Sequence, residues 1–220
     1  MSVNYGTLVV TSGLVLCLDA GNTKSYSGSG TTWNDLSGTK ATGTLTNSPT
    51  YSATNPAAFT FNGSTTYVDC GNPVACQLAS AVTLEVWCNP TSSTGLGNLI
   101  QKNNNTGYRF RIDTGNLWVY SAGNSVMSSG APCANGVWSH CVATFGPSGL
   151  TAYVNGAVVA SNASAYAPSD VASLPVQIGC FSPGSEIFNG KISVAKIYNR
   201  VLTASEVQQN FNALRGRHGL

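Results

Sequence analysis

Eight carboxylates, two histidines and seven cysteines are the residues of this 220-residue chain whose chemistry could serve catalysis. Retaining glycoside hydrolysis needs two acids roughly 5 Å apart, one a nucleophile and one a proton donor, a demand that residues two apart on a strand satisfy. Asp19, Asp35, Asp69, Glu85, Asp113, Asp170, Glu186 and Glu206 never fall within a few residues of one another. Glu85 stands alone in LEVW, where alternation assigns it to the less covered face of its strand. His140 and Cys141 are sequence neighbours on a strand and so point to opposite faces, which keeps the histidine from activating the thiol. His140 is read as structural, and His218 as part of a tail. The sequence therefore predicts no catalytic residue and no enzyme. Zinc needs several Cys or His at coordinating spacing, and none occurs. The cysteines (Cys17, Cys70, Cys76, Cys88, Cys133, Cys141 and Cys180) are odd in number, show no CxxC and sit mostly in apolar runs, as reduced packing residues do. A Cys70 to Cys76 bridge is the one pairing that the spacing makes easy.

These side chains must be carried by strands. The stretch 137–160 reads VWSHCVATF, GPSG, LTAYVNGAVVA: a run covered on both faces, a turn, an alternating run, and an Asn155-Gly156 reversal suited to a two-residue hairpin. VTLEVWC (82–88) alternates strictly and reads as a second central strand. Shorter runs near 14–18, 43–47, 57–61, 67–70, 98–102, 108–112, 116–120, 125–127, 176–181 and 187–198 are separated by Asn, Gly, Thr and Ser turns. In the last of them Ile192, Val194, Lys196 and Tyr198 oppose Ser193, Ala195 and Ile197. Thr203 and Glu206 form a capping box, Leu202 and Val207 a hydrophobic staple, and Val207, Phe211 and Leu214 one apolar face. This predicts one helix, over 203–214, lying against a sheet edge or the sandwich end. The expected architecture is all-β: an antiparallel two-sheet jelly-roll sandwich with one short C-terminal helix. It divides into an arm or edge strand at 1–12, the sandwich at 13–215 and a tail at 216–220.

Only 8% of residues are charged and the formal net charge is +2, so the surface is neutral and rich in Gly, Ser, Thr and Asn. No basic run exists. Arg109/Arg111 and Arg215/Arg217 are the close pairs, each read as a solvated strand edge or tail, and no nucleic-acid partner is expected. MSVNYGTLVVTSG has no cationic start and no long apolar stretch, which predicts neither a secretory signal nor a membrane span, and synthesis in a reducing cytoplasm.

The order of motifs resembles the LamG-like jelly roll of the concanavalin A-like lectin/glucanase superfamily. The matching pieces are GLVLCLDAGN (13–22), TTWNDLSG (31–38), GTLTN (43–47), FTFNGSTTYV (59–68), VTLEVWCNP (82–90), VWSHCVATF (137–145), LTAYVNG (150–156), QIGCF (177–181) and FNGKISVAKIYNRVLTASEV (188–207). The early stretch LCLDAGNTKSYSGSGTTWNDLSG is similar to versions found in tailed bacteriophages, including those of marine bacteria and cyanobacteria. Glucanases of the superfamily carry further acids after the position of Glu85, and this chain has none there. The family makes calcium plausible, held in loops by Asp, Asn and backbone oxygens. Phage versions often place an Asp in the turn after FNG where this chain has Thr66, which leaves Asp19, Asn62 and Asp69 as candidate ligands. Lectin-type sugar sites stack an aromatic ring on the sugar and surround it with amides. The loop aromatics Tyr26, Trp33, Tyr51 and Tyr166, with Asn22 and Asn103, Asn104 and Asn105, are the candidates, although Trp33 is also placed to plug the sandwich end.

The resemblance implies a non-catalytic virion protein, made in the host cytoplasm and carried on the particle, foremost a head decoration protein bound to capsid or another virion protein. Homo-oligomerisation is expected on the particle, with Leu8, Val9, Arg215 and Arg217 as contacts. The alternative is an adhesin or tail-fibre module that binds host-surface polysaccharide, and behind it stands a glycoside hydrolase.

Overall fold

A computed structural model describes residues 8–92, 95–102, 106–121, 124–164, 166 and 171–220. In chain order run β1 (Leu14–Asp19), β2 (Thr32–Trp33), β3 (Gly43–Thr46), β4 (Thr50–Ser52), β5 (Ala58–Asn62), β6 (Tyr67–Asp69), β7 (Val82–Pro90) and β8 (Leu96–Lys102). There follow β9 (Tyr108–Asp113), β10 (Asn116–Ser121), β11 (Asn124–Met127), β12 (Ser139–Gly146), β13 (Gly149–Val154), β14 (Ala157–Asn162), β15 (Val176–Ile178), β16 (Asn189–Tyr198) and α1 (Ala204–Leu214). The first sheet has the order β14-β13-β12-β7-β16-β5-β4, with β1 also on β16, and the second β11-β10-β9-β8-β15-β6-β3-β2. Every described pairing is antiparallel. This is the expected jelly-roll sandwich.

Turn chemistry sets the local register. Asn155 and Gly156 have φ of 52° and 82°, and Thr114 and Gly115 of 48° and 79°. Both central residues of each hairpin are thus left-handed, the geometry whose twist matches the flanking strands. Val82, Leu84, Val86 and Cys88 of β7 and Cys141, Ala143 and Phe145 of β12 face inward. There they meet Phe110, Ile112, Leu117 and Val119 of the second sheet in one continuous core. Apolar burial of this kind contributes roughly 25 cal/mol per Å² removed from water.

The outer face of the first sheet is covered as well. Helix α1 and the 3₁₀ turn Arg215–His218 lie across it rather than against an edge or end. The capping box forms as read: Thr203 accepts from the Glu206 N–H and Glu206 accepts from the Thr203 N–H, while Leu202 and Val207 meet as the staple. Residues 216–220 are not a free tail, because His218 stacks on Trp87 at 3.9 Å and 10° and is buried. Burial lowers the His218 pKa from 6.5 to about 4, so the ring on Trp87 is neutral. Leu8 is 80% exposed, but Val10 is buried: its N–H donates to Asn210 Oδ1 at 2.8 Å and its carbonyl accepts from the Tyr198 hydroxyl at 3.1 Å. A bulge between Ile192 and Val194 sends Ile192 into the inter-sheet core while Val194, Lys196 and Tyr198 face the helix, which breaks the strict alternation expected of β16.

Glu85 lies at the centre of this covered face. It is 0% exposed, not on an open face as alternation suggested, because period-two patterning identifies a face without saying what covers it. Lys196 donates to Oε1 at 2.8 Å, His140 Nε2 lies 3.2 Å from the same oxygen, and Asn210 of α1 donates to Oε2 at 2.7 Å. Burial alone would raise this carboxyl, but the Lys196 ammonium and then His140 outweigh it and bring the pKa from 4.5 to about 2.

Lys196→Met, which leaves this buried charge unmatched, is expected to cost about 3–5 kcal/mol in urea unfolding, and adding Glu85→Gln should recover part of the loss. Acid should destabilise the fold in two stages. His218, whose folded pKa is depressed, contributes stability present above pH 6.5 that is lost as pH falls through about 4. Glu85 contributes stability present above pH 4.5 that is lost as pH falls through about 2. Chemical denaturation across pH 7 to 2 checks this, and His218→Phe should remove the upper stage alone.

Candidate functional site

With the first sheet roofed by α1, the outer face of the second sheet is the less covered one: Arg111, Trp118, Tyr120 and Phe181 are half-buried there, while Asn98, Gln101, Arg109 and Gln177 are buried. Strand β9 reads YRFRID: Tyr108, Phe110 and Ile112 point into the core, so Arg109, Arg111 and Asp113 point outward. Strand β10 reads NLWVYS, with Leu117 and Val119 inward and Trp118 and Tyr120 outward. The Thr114-Gly115 hairpin fixes the register so that Trp118 pairs with Arg111 and Tyr120 with Arg109. On the other side β8 sets Asn98 beside Arg111 and Gln101 beside Arg109.

The result is a stripe of aromatic rings, guanidinium groups and amides. The Arg111 guanidinium lies 4.0 Å over the Trp118 ring and that of Arg109 4.6 Å over Phe181, both within cation–π range. Arg109 Nε donates to Asn98 Oδ1 at 2.8 Å, and Asn98 Nδ2 donates to the Cys180 carbonyl at 2.6 Å. Gln101 Nε2 donates to Gln177 Oε1 at 2.8 Å. Glu186 Oε2 accepts from both arginines, from Arg109 Nη2 and from Arg111 Nη1 at 3.1 Å, and Asp113 lies 3.7 Å from Arg111 Nη2. Two cations therefore face two anions. Burial, then the neighbouring Arg111, lowers the Arg109 pKa to about 10, so it stays charged at neutral pH.

Glu186 occupies the left-handed region at φ 47°, which is sparsely populated by residues with a side chain. It joins the stripe to a cleft of about 360 Å³ at the rim, lined by Gly63, Ser64, Gly95, Gly97, Glu186 and Asn189 among others. A second hollow of about 160 Å³ lies between Gln101, Gln177, Phe181 and Pro183. Two buried polar atoms of the stripe, Gln101 Oε1 and Arg111 Nε, have no partner among the described residues. Both atoms are sealed from solvent, so they are an unmet cost of the packing and not an open bonding position.

The sequence candidates fall elsewhere. Tyr26 and Trp33 are buried at 5% and 0% exposure, in a cluster with Tyr51 and Phe59, and plug the sandwich end instead of facing a ligand. Tyr166 is buried, its hydroxyl donating to the Leu78 carbonyl. Asn103, Asn104, Asn105 and Asp170 lie outside the described residues. Arg217 is no free contact either: its guanidinium grips both carboxylate oxygens of Asp19, at 2.8 and 2.9 Å, while Arg215 stays exposed near Phe211. Arg109 and Arg111 are not a solvated edge, since β9 has a strand on either side. The missed signal was RFRID facing LWVYS across a two-residue turn.

The calcium candidates do not fit a cation. Asp19 is taken by Arg217, Asn62 Oδ1 accepts from the Ser64, Thr65 and Thr66 N–H groups, and Asp69 caps the Gly71 N–H. Each is a turn former or ion-pair partner, and no group of three His, Cys, Asp or Glu suited to a metal occurs among the described residues. Of the acids, Asp113 and Glu186 approach a common point, but Arg111 lies between them and pairs with both.

Comparison with known proteins agrees with this architecture. The binding domain of Paraclostridial Mosquitocidal Protein 1 superposes with a TM-score of 0.72 at 17% identity, over 91% of this chain and 52% of that one. The receptor binding domain of botulinum neurotoxin C/D mosaic serotype gives 0.69 at 15%, over 92% and 51%. A structure of botulinum neurotoxin type C, whose cell entry depends on two ganglioside molecules, gives 0.69 at 17%, over 93% and 52%. At such identities the likeness is one of fold, and this chain spans about half the length of those structures. No curated protein sequence matches it. The profile described as the concanavalin A-like lectin/glucanases superfamily matches residues 62–208, most of the chain. The chain belongs to the concanavalin A-like lectin/glucanase superfamily.

Proposed function

We propose that this chain is a non-catalytic binding module that takes surface polysaccharide on the outer face of its second sheet. The observation that carries the reading is the row of half-buried Arg111, Trp118, Tyr120 and Phe181 on that face, held in place by the buried Arg109, Gln101 and Gln177 beneath it. Aromatic faces match the apolar faces of sugar rings, and the half-buried Arg111 guanidinium, fixed over Trp118, matches their hydroxyls. The equal number of cations and anions favours a neutral sugar over a strongly acidic one. Similarity of fold to toxin binding domains supports recognition of a cell surface, while the ligands of those larger proteins are not carried over.

A narrower reading sets the module on a virion, as a head decoration protein or fibre tip that forms homo-oligomers and touches capsid or another virion protein. It is supported by the likeness of the 16–38 stretch to phage versions of the domain. Exposed apolar side chains away from the stripe, Leu8 at 80% and Val158 at 56% on β14, suit protein contacts.

On a glycan array the protein should bind a neutral polysaccharide, and Trp118→Ala or Arg111→Ala should weaken that binding at least tenfold, about 1.4 kcal/mol, without loss of the folded near-ultraviolet signal. EDTA should leave the affinity unchanged. Absence of any glycan binding near 1 mM protein, about the weak limit of specific recognition, would remove the proposal. Glu186→Gln, which deprives both arginines of their shared carboxylate, should cost about 1–3 kcal/mol of stability and shift preference toward acidic glycans on the same array.

A further inference from the structure

All seven cysteines are reduced and buried, and three of them gather at one place in the core. Cys141 Sγ lies 3.5 Å from Cys133 Sγ and 3.8 Å from Cys88 Sγ. Cys70 and Cys76, the pair that sequence spacing favours, share the same core and feel each other's charge, but their sulfurs form no hydrogen bond among the described residues. We propose that Cys133 and Cys141 form a site of oxidative cross-linking, which a low-molecular-weight disulfide converts into an intrachain bridge fastening the 128–138 segment to the core.

Backbone geometry selects this pair over the alternative. Cys88 and Cys141 lie on neighbouring strands, but Cys88 registers with Ser139 and Cys141 with Val86, so they are diagonal positions. Diagonal Cα atoms across an antiparallel pair are about 7–8 Å apart, beyond the roughly 4.4–6.8 Å that a disulfide spans, and both strands are pinned in mid-sheet by neighbours on either side. Cys133 has no such restraint. It sits in the connection between β11 and β12, flanked by exposed Ser129, Gly130 and Ala131 before it and Ala134 to Val137 after it. It is fully buried among these exposed neighbours, the apolar anchor of the segment. Its N–H donates to the Gly115 carbonyl at 2.9 Å, and the Gly136 N–H to the Pro90 carbonyl at 2.7 Å, so the segment is held at both ends while the Cys133 side chain can close the remaining gap.

The exchange balances with the oxidant alone. A Cys133 thiolate attacks one sulfur of the small disulfide, forming a mixed disulfide and releasing the first oxidant thiolate. Cys141 then attacks the Cys133 sulfur, and the second oxidant thiolate leaves. One S–S bond is made and one broken, and two electrons and two protons pass from the protein to the oxidant. The neighbouring thiol and burial raise the Cys133 pKa, so the reaction awaits a lifting of the segment and is slow in the closed fold. Once formed, the bridge shortens the chain freedom of the unfolded state, which raises stability.

The full chain would be incubated with oxidised glutathione, unfolded, and its free thiols blocked before intact-mass measurement. Chymotrypsin cuts after Trp138 and so separates the two cysteines for mapping. The expected result is five blocked thiols of the seven, one bridge joining the peptides that hold Cys133 and Cys141, and a Tm above that of the reduced protein. Cys88→Ala should keep the bridge, and Cys133→Ala should abolish both the bridge and the rise in Tm. Seven blocked thiols, a lasting glutathione adduct without a bridge, a bridge through Cys88 or between Cys70 and Cys76, or a bridge that survives Cys133→Ala would each overturn the proposal.

Discussion

Glu85 is held at full burial between Lys196 and Asn210, and an ion in that position is tolerable only while its partners stay in place. One partner comes from the neighbouring strand and the other from the terminal helix, so the charge ties α1 to the sheet. Val10, the Tyr198 hydroxyl and Asn210 extend the same network to the N-terminal segment. The superfamily's sandwich has two outer faces, and this network closes one of them. The other outer face belongs to the second sheet, where β8, β9, β10 and β15 and the 179–189 loop supply the outward residues.

The frame of the fold was legible because its signals are local. VTLEVWC alternates cleanly, Asn155-Gly156 demands a tight reversal, and Thr203 with Glu206 caps a helix; each needs only a few consecutive residues. The failures share one cause, contact between distant segments. Asn210 reaches Glu85 across 125 positions, and nothing near Glu85 announces the cover. Glu186 meets Arg109 across 77 positions, so the sequence shows an arginine pair without its counter-ion. Tyr26 and Trp33 looked like loop aromatics until Phe59, from another strand, received their rings. Among the cysteines, nearness in sequence favoured Cys70 and Cys76, whereas nearness in space belongs to Cys133 and Cys141.

The placement of the described carboxylates differs from that of a hydrolase site. A sandwich face becomes a glucanase site when neighbouring outward positions of one strand carry acids with access to water. In β7 the outward positions are Thr83, Glu85 and Trp87, all buried: Thr83 bonds to the Arg200–Leu202 connection, and Glu85 and Trp87 lie beneath the helix and its 3₁₀ extension. On the open face the outward positions of β9 are two arginines and Asp113, and the nearby Glu186 is engaged by both arginines. Carboxylates here serve to fix side-chain positions, which gives a rigid, preorganised surface at the expense of reactive groups.

Pairing Arg109 and Arg111 with Glu186 and Asp113 also makes the open face electrically quiet. Without a local field to draw partners in, encounter is left to ordinary diffusion, and ionic strength has little to screen. For any electrically quiet surface that binds a repeating polymer, linking several copies raises the effective concentration of the next contact without adding charge.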